Sequence, residues 1–179
     1  DILNQKEDVI TGDTFSNHPL LWKGWNAFSG TGDVTAEVVY ANYGRKEDFE
    51  TLNELGVEIK GKIVVARYGG NFRGFKAKFA EANGAIGLII YTDPEDSGYT
   101  KGLVYPEGPY YNKSTIQRGS LLTENFTGDP LTPFEPALPF DNKKKIKRLD
   151  PKQTQLHNIP VTPIGYGEAS KILGQMLSL

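Results

Sequence analysis

Residues 61–94 read GKIVVARYGGNFRGFKAKFAEANGAIGLIIYTDP, and this stretch decides the fold. Ile63 to Ala66 is a short apolar run rich in β-branched residues, broken by Gly69-Gly70. Phe72, Phe75, Phe79 and Ala82 then recur at spacings of three and four, which predicts a helix with those residues on its buried face. Gly84 stands where a left-handed helix C-cap is expected, and Ala85 to Tyr91 is a second apolar run. Two strands joined by a helix of this length pair in parallel through a right-handed crossover. Continuously apolar strands are buried on both faces, so this β-α-β unit is the expected core.

Working outward, Glu37 to Tyr43 (EVVYANY) predicts a strand. Arg45 to Leu55 predicts a short helix with Phe49, Leu52 and Leu55 on one side and Gly56 as its stop. Strands and helices alternating through Tyr91 indicate an α/β fold. Residues 1–33 are polar and turn-rich, with Ile2-Leu3 a strand remnant. Both tryptophans, Trp22 and Trp25, are expected to cover a core edge rather than to form a ligand cage.

Thr92 to Asn112 changes character: Gly, Pro and four tyrosines make a long irregular loop. Loops longer than ~15 residues are uncommon in compact domains and are often functional or held by partner contacts. Ser114 to Leu122 is a modest element, and Gly128 to Pro133 (GDPLTP) is a rigid turn. Lys143 to Arg148 (KKKIKR) has no interleaved aromatics and reads as a solvated loop or exposed helix, not a nucleic-acid site. Ile159 to Ile164, broken by Pro160 and Pro163, predicts an edge strand. Gly167 to Leu177 predicts an amphipathic helix.

The 179 residues suit one domain. A net charge of −2 exerts no overall pull toward nucleic acid or an anionic membrane. The absence of cysteine excludes a disulfide framework, a thiolate metal site and a cysteine nucleophile. The longest apolar run, about seven residues, is far short of a membrane span. The start at Asp1 without Met, and the end inside a predicted helix, lead to the expectation of a single domain, 1–179, cut from a longer chain.

Catalytic chemistry is scarce. His18 and His157 have no second ligand at helical or hairpin spacing, and both are expected at the surface. There is no Gly-x-Ser-x-Gly elbow, and GGNFRG at 69–74 is neither GxGxxG nor a Walker loop. Asp93, Glu95 and Asp96 are explained by helix capping and solubility. Arg73, between the Gly-Gly turn and the helix start and near Lys76, has two readings. One is a surface arginine, which the residues alone favour; the other is a guanidinium fork holding a carboxylate beside exposed N–H donors.

The order of motifs resembles the protease-associated (PA) domain, more narrowly the apical domain of the glutamate carboxypeptidase II and transferrin receptor family. The resemblance is carried by GKIVVARYG (Gly61–Gly69), FRGFK (Phe72–Lys76), YTDP (Tyr91–Pro94), YPEG (Tyr105–Gly108), QRG (Gln117–Gly119), GDPLTP (Gly128–Pro133) and IPVTPIGY (Ile159–Tyr166). It covers almost the whole chain, and GDPLTP after QRG is its most specific part.

The resemblance implies an α/β PA-domain fold of swivelling β/β/α type, with a mixed sheet, a central β-α-β unit and flanking helices. It implies a non-catalytic module in a chain with a zinc peptidase domain and a helical dimerisation domain. That parent would be a homodimeric type II membrane protein facing the cell exterior or a vacuolar or endosomal lumen. The PA domain would act as lid and substrate-recognition module for a peptide or protein ligand, without nucleic acid and without itself entering the membrane. Arg73 would bind a substrate carboxylate, and Ser120 takes the place of the family's asparagine in the specificity pocket. Thr132 and Glu135 would supply part of a calcium site completed by the protease-like domain. Zinc and calcium would thus belong to the parent, with neither complete in this chain. The sequons at Asn112 and Asn125 would be glycosylation sites in a lumenal domain. The alternative is a protein-binding module in a catalytically silent relative of the transferrin-receptor or vacuolar-sorting type.

Overall fold

The structure is a computed structural model that describes residues 2–176. In chain order the strands and α-helices are β1 (Asn26–Ala27), β2 (Val38–Tyr40), α1 (Lys46–Glu54), β3 (Ile63–Arg67), α2 (Arg73–Ala82), β4 (Gly87–Tyr91), α3 (Pro94–Ser97), β5 (Gly119–Ser120), β6 (Gly128–Asp129), β7 (Thr132–Pro133), β8 (Val161–Ile164) and α4 (Tyr166–Met176). A short 3-10 turn covers Pro151–Gln153.

The predicted β-α-β unit is the centre of the molecule. The main sheet runs β2-β3-β4-β8 with every pairing parallel, Val64 facing Leu88 and Tyr91 facing Ile164. Side chains alternate across a strand, so the apolar run of β3 and β4 feeds two cores. Val64, Ala66, Leu88 and Ile90 pack with Phe49 of α1 and with Ala77 and Ala80 of α2. Val65 and Tyr91 pack on the opposite face with Ile164 and with Ala169, Ile172 and Leu173 of α4. The result is a sheet with helices on both faces, each buried Val, Leu or Ile contributing about 1.5–3 kcal/mol. Two small pairs complete the strands: β1 with β5 in parallel, and β6 with β7 antiparallel. Among the described residues no helix is long and apolar enough to cross a membrane.

Several expectations are corrected. The buried face of α2 is Gly74, Lys76, Ala77 and Ala80, while Phe72 and Phe75 stay 41% and 39% exposed. The helix sits so close that a Cβ on Gly74 would lie 2.2 Å from the Leu121 carbonyl oxygen. Only small side chains fit there; Phe72 and Phe75 turn outward, edge-on at 6.2 Å, while Phe79, stacked on Phe75 at 6.0 Å, is partly buried against the core as expected. Trp22 and Trp25 are exposed, and among the described residues neither packs against the two cores. Residues 2–3 form no strand. His157 is buried, its Nε2 3.0 Å from the Leu121 carbonyl and its Nδ1 3.5 Å from Glu81 Oε2. Strand β2 ends early because Asn42 and Gly44, at φ 48° and 61°, turn the chain. As expected, β8 is an edge strand, with β2 at the other edge of the sheet, and its Pro163 lies opposite Ile90 where no ladder donor is needed. Leu177, the last residue of the predicted C-terminal helix, lies outside the described residues.

Candidate functional site

Arg73 opens α2 just beyond the C-terminal end of β3, where open α/β sheets place their ligand crevices. No side chain caps this helix start. The guanidinium reaches across to the segment around β5, Nη2 donating to Gln117 Oε1 at 2.8 Å and Nη1 to the Ser120 carbonyl at 3.2 Å. Its carbon lies 5.7 Å from the Tyr68 ring centre and 5.5 Å from that of Phe72. Gly119 makes the space: a Cβ there would sit 2.4 Å from Arg73 Nη1.

The platform beneath is fixed in turn. The Tyr68 hydroxyl donates to the Gln117 carbonyl at 2.7 Å and accepts from Asn26 Nδ2 at 3.2 Å. Burial raises the Tyr68 phenol above its usual range, so it stays a donor. Asn26 Nδ2 also reaches the Gly119 carbonyl at 3.4 Å. A guanidinium carries five N–H donors; among the described residues two are matched to acceptors, and Nε is buried without one. Arg73 is half-buried, positively charged and has donors to spare, which suits a carboxylate.

Lys76, one turn further along α2, is arranged differently. It is fully buried, and its ammonium donates to the Tyr43 carbonyl at 2.5 Å, the Gly69 carbonyl at 2.7 Å and Asn71 Oδ1 at 2.7 Å. Burial pulls its pKa down to about 8, so it remains charged at neutral pH. All three donors are used, so Lys76 ties the Tyr43 turn to the Gly69-Gly70 turn. Beside it, Arg67 lies 4.0 Å from the Tyr43 ring centre and 3.6 Å and 3.8 Å from Asp93 and Asp96 carboxylate oxygens. The Tyr43 hydroxyl donates to Asp96 at 2.7 Å, and Asp93 caps α3 through the Glu95 amide at 2.9 Å.

Ser120 lies beside Arg73, but its hydroxyl accepts from the Leu122 amide at 3.1 Å, and only its carbonyl meets the guanidinium. Thr132 and Glu135 meet in the turn after β7: Thr132 Oγ1 donates to the Glu135 carbonyl at 3.1 Å. The Glu135 carboxylate points elsewhere, 3.9 Å from Lys144 Nζ. Thr132 is buried, so the turn itself brings these two neutral oxygens together. Among the described residues no group of three or more His, Cys, Asp or Glu could hold a metal. Asn125 is exposed, whereas Asn112 is half-buried and its Oδ1 accepts from the Ser114 amide, the Ser114 hydroxyl and the Thr115 hydroxyl. Sequence reasoning placed Lys76 near Arg73 but missed its burial, and it missed Tyr68 and Asn26 as parts of this region; the glycines at 69 and 70 were a local sign of a packed turn.

A family model described as "PA domain" matches residues 34–127, more than half of the chain. A probable glutamate carboxypeptidase of Arthroderma benhamiae is 48% identical over 131 residues, covering 70% of this chain and 18% of that protein. The glutamate carboxypeptidase 2 homolog of Caenorhabditis briggsae is 39% identical over 155 residues, 85% of this chain and 20% of that protein. Vacuolar protein sorting-associated protein 70 of Saccharomyces cerevisiae is 35% identical over 175 residues, 95% of this chain and 21% of that protein. The chain therefore spans about a fifth of the length of these curated relatives.

Proposed function

This chain belongs to the PA-domain family, and we propose that it is the non-catalytic lid and substrate-recognition module of a zinc-carboxypeptidase-like membrane protein, with Arg73 as the anchor for a substrate carboxylate. The observation that carries this reading is the Arg73 guanidinium, held by Gln117 Oε1 and the Ser120 carbonyl with no carboxylate paired to it among the described residues. Zinc, with the water it activates, would belong to a protease-like domain outside these residues. This chain's part is to orient the substrate and exclude water. A bound calcium would take Thr132 Oγ1 and the Glu135 carbonyl here and its remaining oxygens from that domain, so this chain alone binds calcium weakly. The protease-like and helical dimerisation domains of a homodimeric parent are the proposed partners, on the lumenal or extracellular side. In that setting Asn125, being exposed, is the more accessible glycosylation site.

A second reading is a protein-binding module in a catalytically silent parent. It is favoured by the Ser120 hydroxyl, which is spent on the Leu122 amide and does not face Arg73.

The test is hydrolysis of an acidic dipeptide by the full-length protein and its Arg73→Ala variant. The lid reading predicts chelator-sensitive hydrolysis and a KM raised about 10- to 100-fold, the worth of one charge-assisted contact. An unchanged KM removes Arg73 from the site, and absence of hydrolysis supports the second reading.

A further inference from the structure

The tyrosine-rich loop plays no part in the lid reading, yet it forms one wall of a cleft of about 420 Å³. The other wall is the N-terminal segment. Phe15, Tyr105, Tyr110 and Tyr111 line the cleft together with Asp8 and Asp13, and none of these touches Arg73.

Both walls are held by hydrogen bonds. The Tyr105 amide donates to the Tyr110 carbonyl at 3.0 Å, and the Tyr111 amide to the Ser97 carbonyl at 3.1 Å. Across the cleft, the Asp8 amide donates to Ser114 Oγ at 2.9 Å, and Asp13 Oδ1 accepts from the Phe15 amide at 2.9 Å. The Phe15 ring is 78% exposed and Tyr105 51%, an aromatic surface with nothing packed over it among the described residues.

The charges select the ligand. Glu7 also lines the cleft, but Arg118 neutralises it with contacts of 2.6 Å and 2.8 Å. Asp8 and Asp13 form no ion pair among the described residues. Lys6 and Lys113 border an adjoining hollow that shares Asp8, which leaves the Asp13 side the more negative. A neutral apolar ligand would desolvate carboxylates without compensation, and an anion would be repelled. A cation on an apolar stem meets both demands, with its stem along the rings, its charge over a ring face and its N–H groups on carboxylates. The volume lies within the range of small-ligand sites, about 300–1,000 Å³.

We propose that this cleft binds the lysine or arginine side chain of an extended peptide. The inference stands apart from the Arg73 reading, which concerns anions and different residues.

The test titrates the protein with N-acetyl-Ala-Lys-Ala-amide, with its norleucine counterpart and with methylammonium, following the NMR signals of Tyr105, Tyr110 and Tyr111. The lysine peptide is expected to shift these signals and to bind about tenfold more tightly than the norleucine peptide. Asp8→Asn combined with Asp13→Asn should remove that preference, because an asparagine at 13 still offers an oxygen to the Phe15 amide. Phe15→Ala, at an exposed position, should weaken binding with no shift in thermal unfolding. Equal binding of the norleucine peptide, an undiminished preference in the Asp variants, or loss of binding in Arg73→Ala would each overturn the proposal. Methylammonium binding as tightly as the lysine peptide would overturn the peptide assignment.

Discussion

Two cations sit three residues apart on α2, in surroundings that differ in one respect. Around Lys76 the region is closed: three donors meet three oxygens, and the side chain is fully buried. Around Arg73 it is open: two contacts hold the half-buried guanidinium in place, and no carboxylate pairs with it among the described residues. Counting donors against acceptors thus separates a cation that holds the fold from one that can hold a ligand. The same reasoning treats Arg118 as structural, since it grips Glu7 and the Trp22 carbonyl together.

The comparison breaks most readily at Lys76. Lys76→Met leaves the Tyr43 and Gly69 carbonyls and Asn71 Oδ1 without their donor, and should cost about 3 kcal/mol, or roughly 6–12 °C in Tm. A Tm within a degree or two of wild type would show that the closed network carries little stability. Charge on Lys76 also links stability to pH. Its folded pKa of about 8 lies below the ordinary lysine value of 10.5, so between those pH values the unfolded chain binds more protons. Stability should therefore rise with pH across that window in the wild type relative to Lys76→Met, as urea unfolding at pH 8 and pH 10 would register.

The open side is probed by Gly119→Ala, whose Cβ would fall 2.4 Å from Arg73 Nη1. The guanidinium must swing away, and alanine is also strained at the φ of 153° there, so anion affinity should fall about tenfold with a stability cost of about 2–3 kcal/mol. Retained affinity would mean that the observed orientation is not the binding one. The smallest effect belongs to Glu7 and Arg118. Burial alone would raise the Glu7 carboxyl, but the Arg118 hydrogen bond and charge, helped by the Ile116 amide, outweigh it and hold Glu7 below 4.5. A carboxylate with a depressed folded pKa stabilises above its unfolded pKa and loses that contribution as pH falls through the folded one. Arg118→Ala should thus lower stability at pH 7, with the difference from wild type shrinking as pH falls below 4.5. A deficit that is constant with pH would assign the effect to packing.

How far the sequence foretold this depended on the range of each interaction. Strands β3 and β4 and helix α2 stood out because apolar runs and helical spacing are local signals. The face of α2 was misjudged because the phenylalanines and the small residues Gly74, Ala77 and Ala80 both recur at helical spacing, and the larger side chains dominate an apolar pattern. His157 read as a surface residue, and the burial of Lys76 went unforeseen, because burial of a polar group depends on acceptors brought in by other turns. Arg73 drew notice through its place at a helix start, but Gln117 and Ser120 lie 44 and 47 residues away, and no spacing rule joins them. Only the shared order of FRG and QRG pointed to that meeting.

The central claim is that Arg73 serves a ligand and Lys76 serves the fold. It is tested most directly by measuring Tm and the affinity for N-acetyl-glutamate on the full-length protein and its Arg73→Ala and Lys76→Met variants. The account predicts that Arg73→Ala weakens carboxylate binding about 10- to 100-fold while moving Tm by no more than a few degrees, and that Lys76→Met lowers Tm far more. Wild-type affinity in Arg73→Ala, or a larger loss of Tm there than in Lys76→Met, would contradict it.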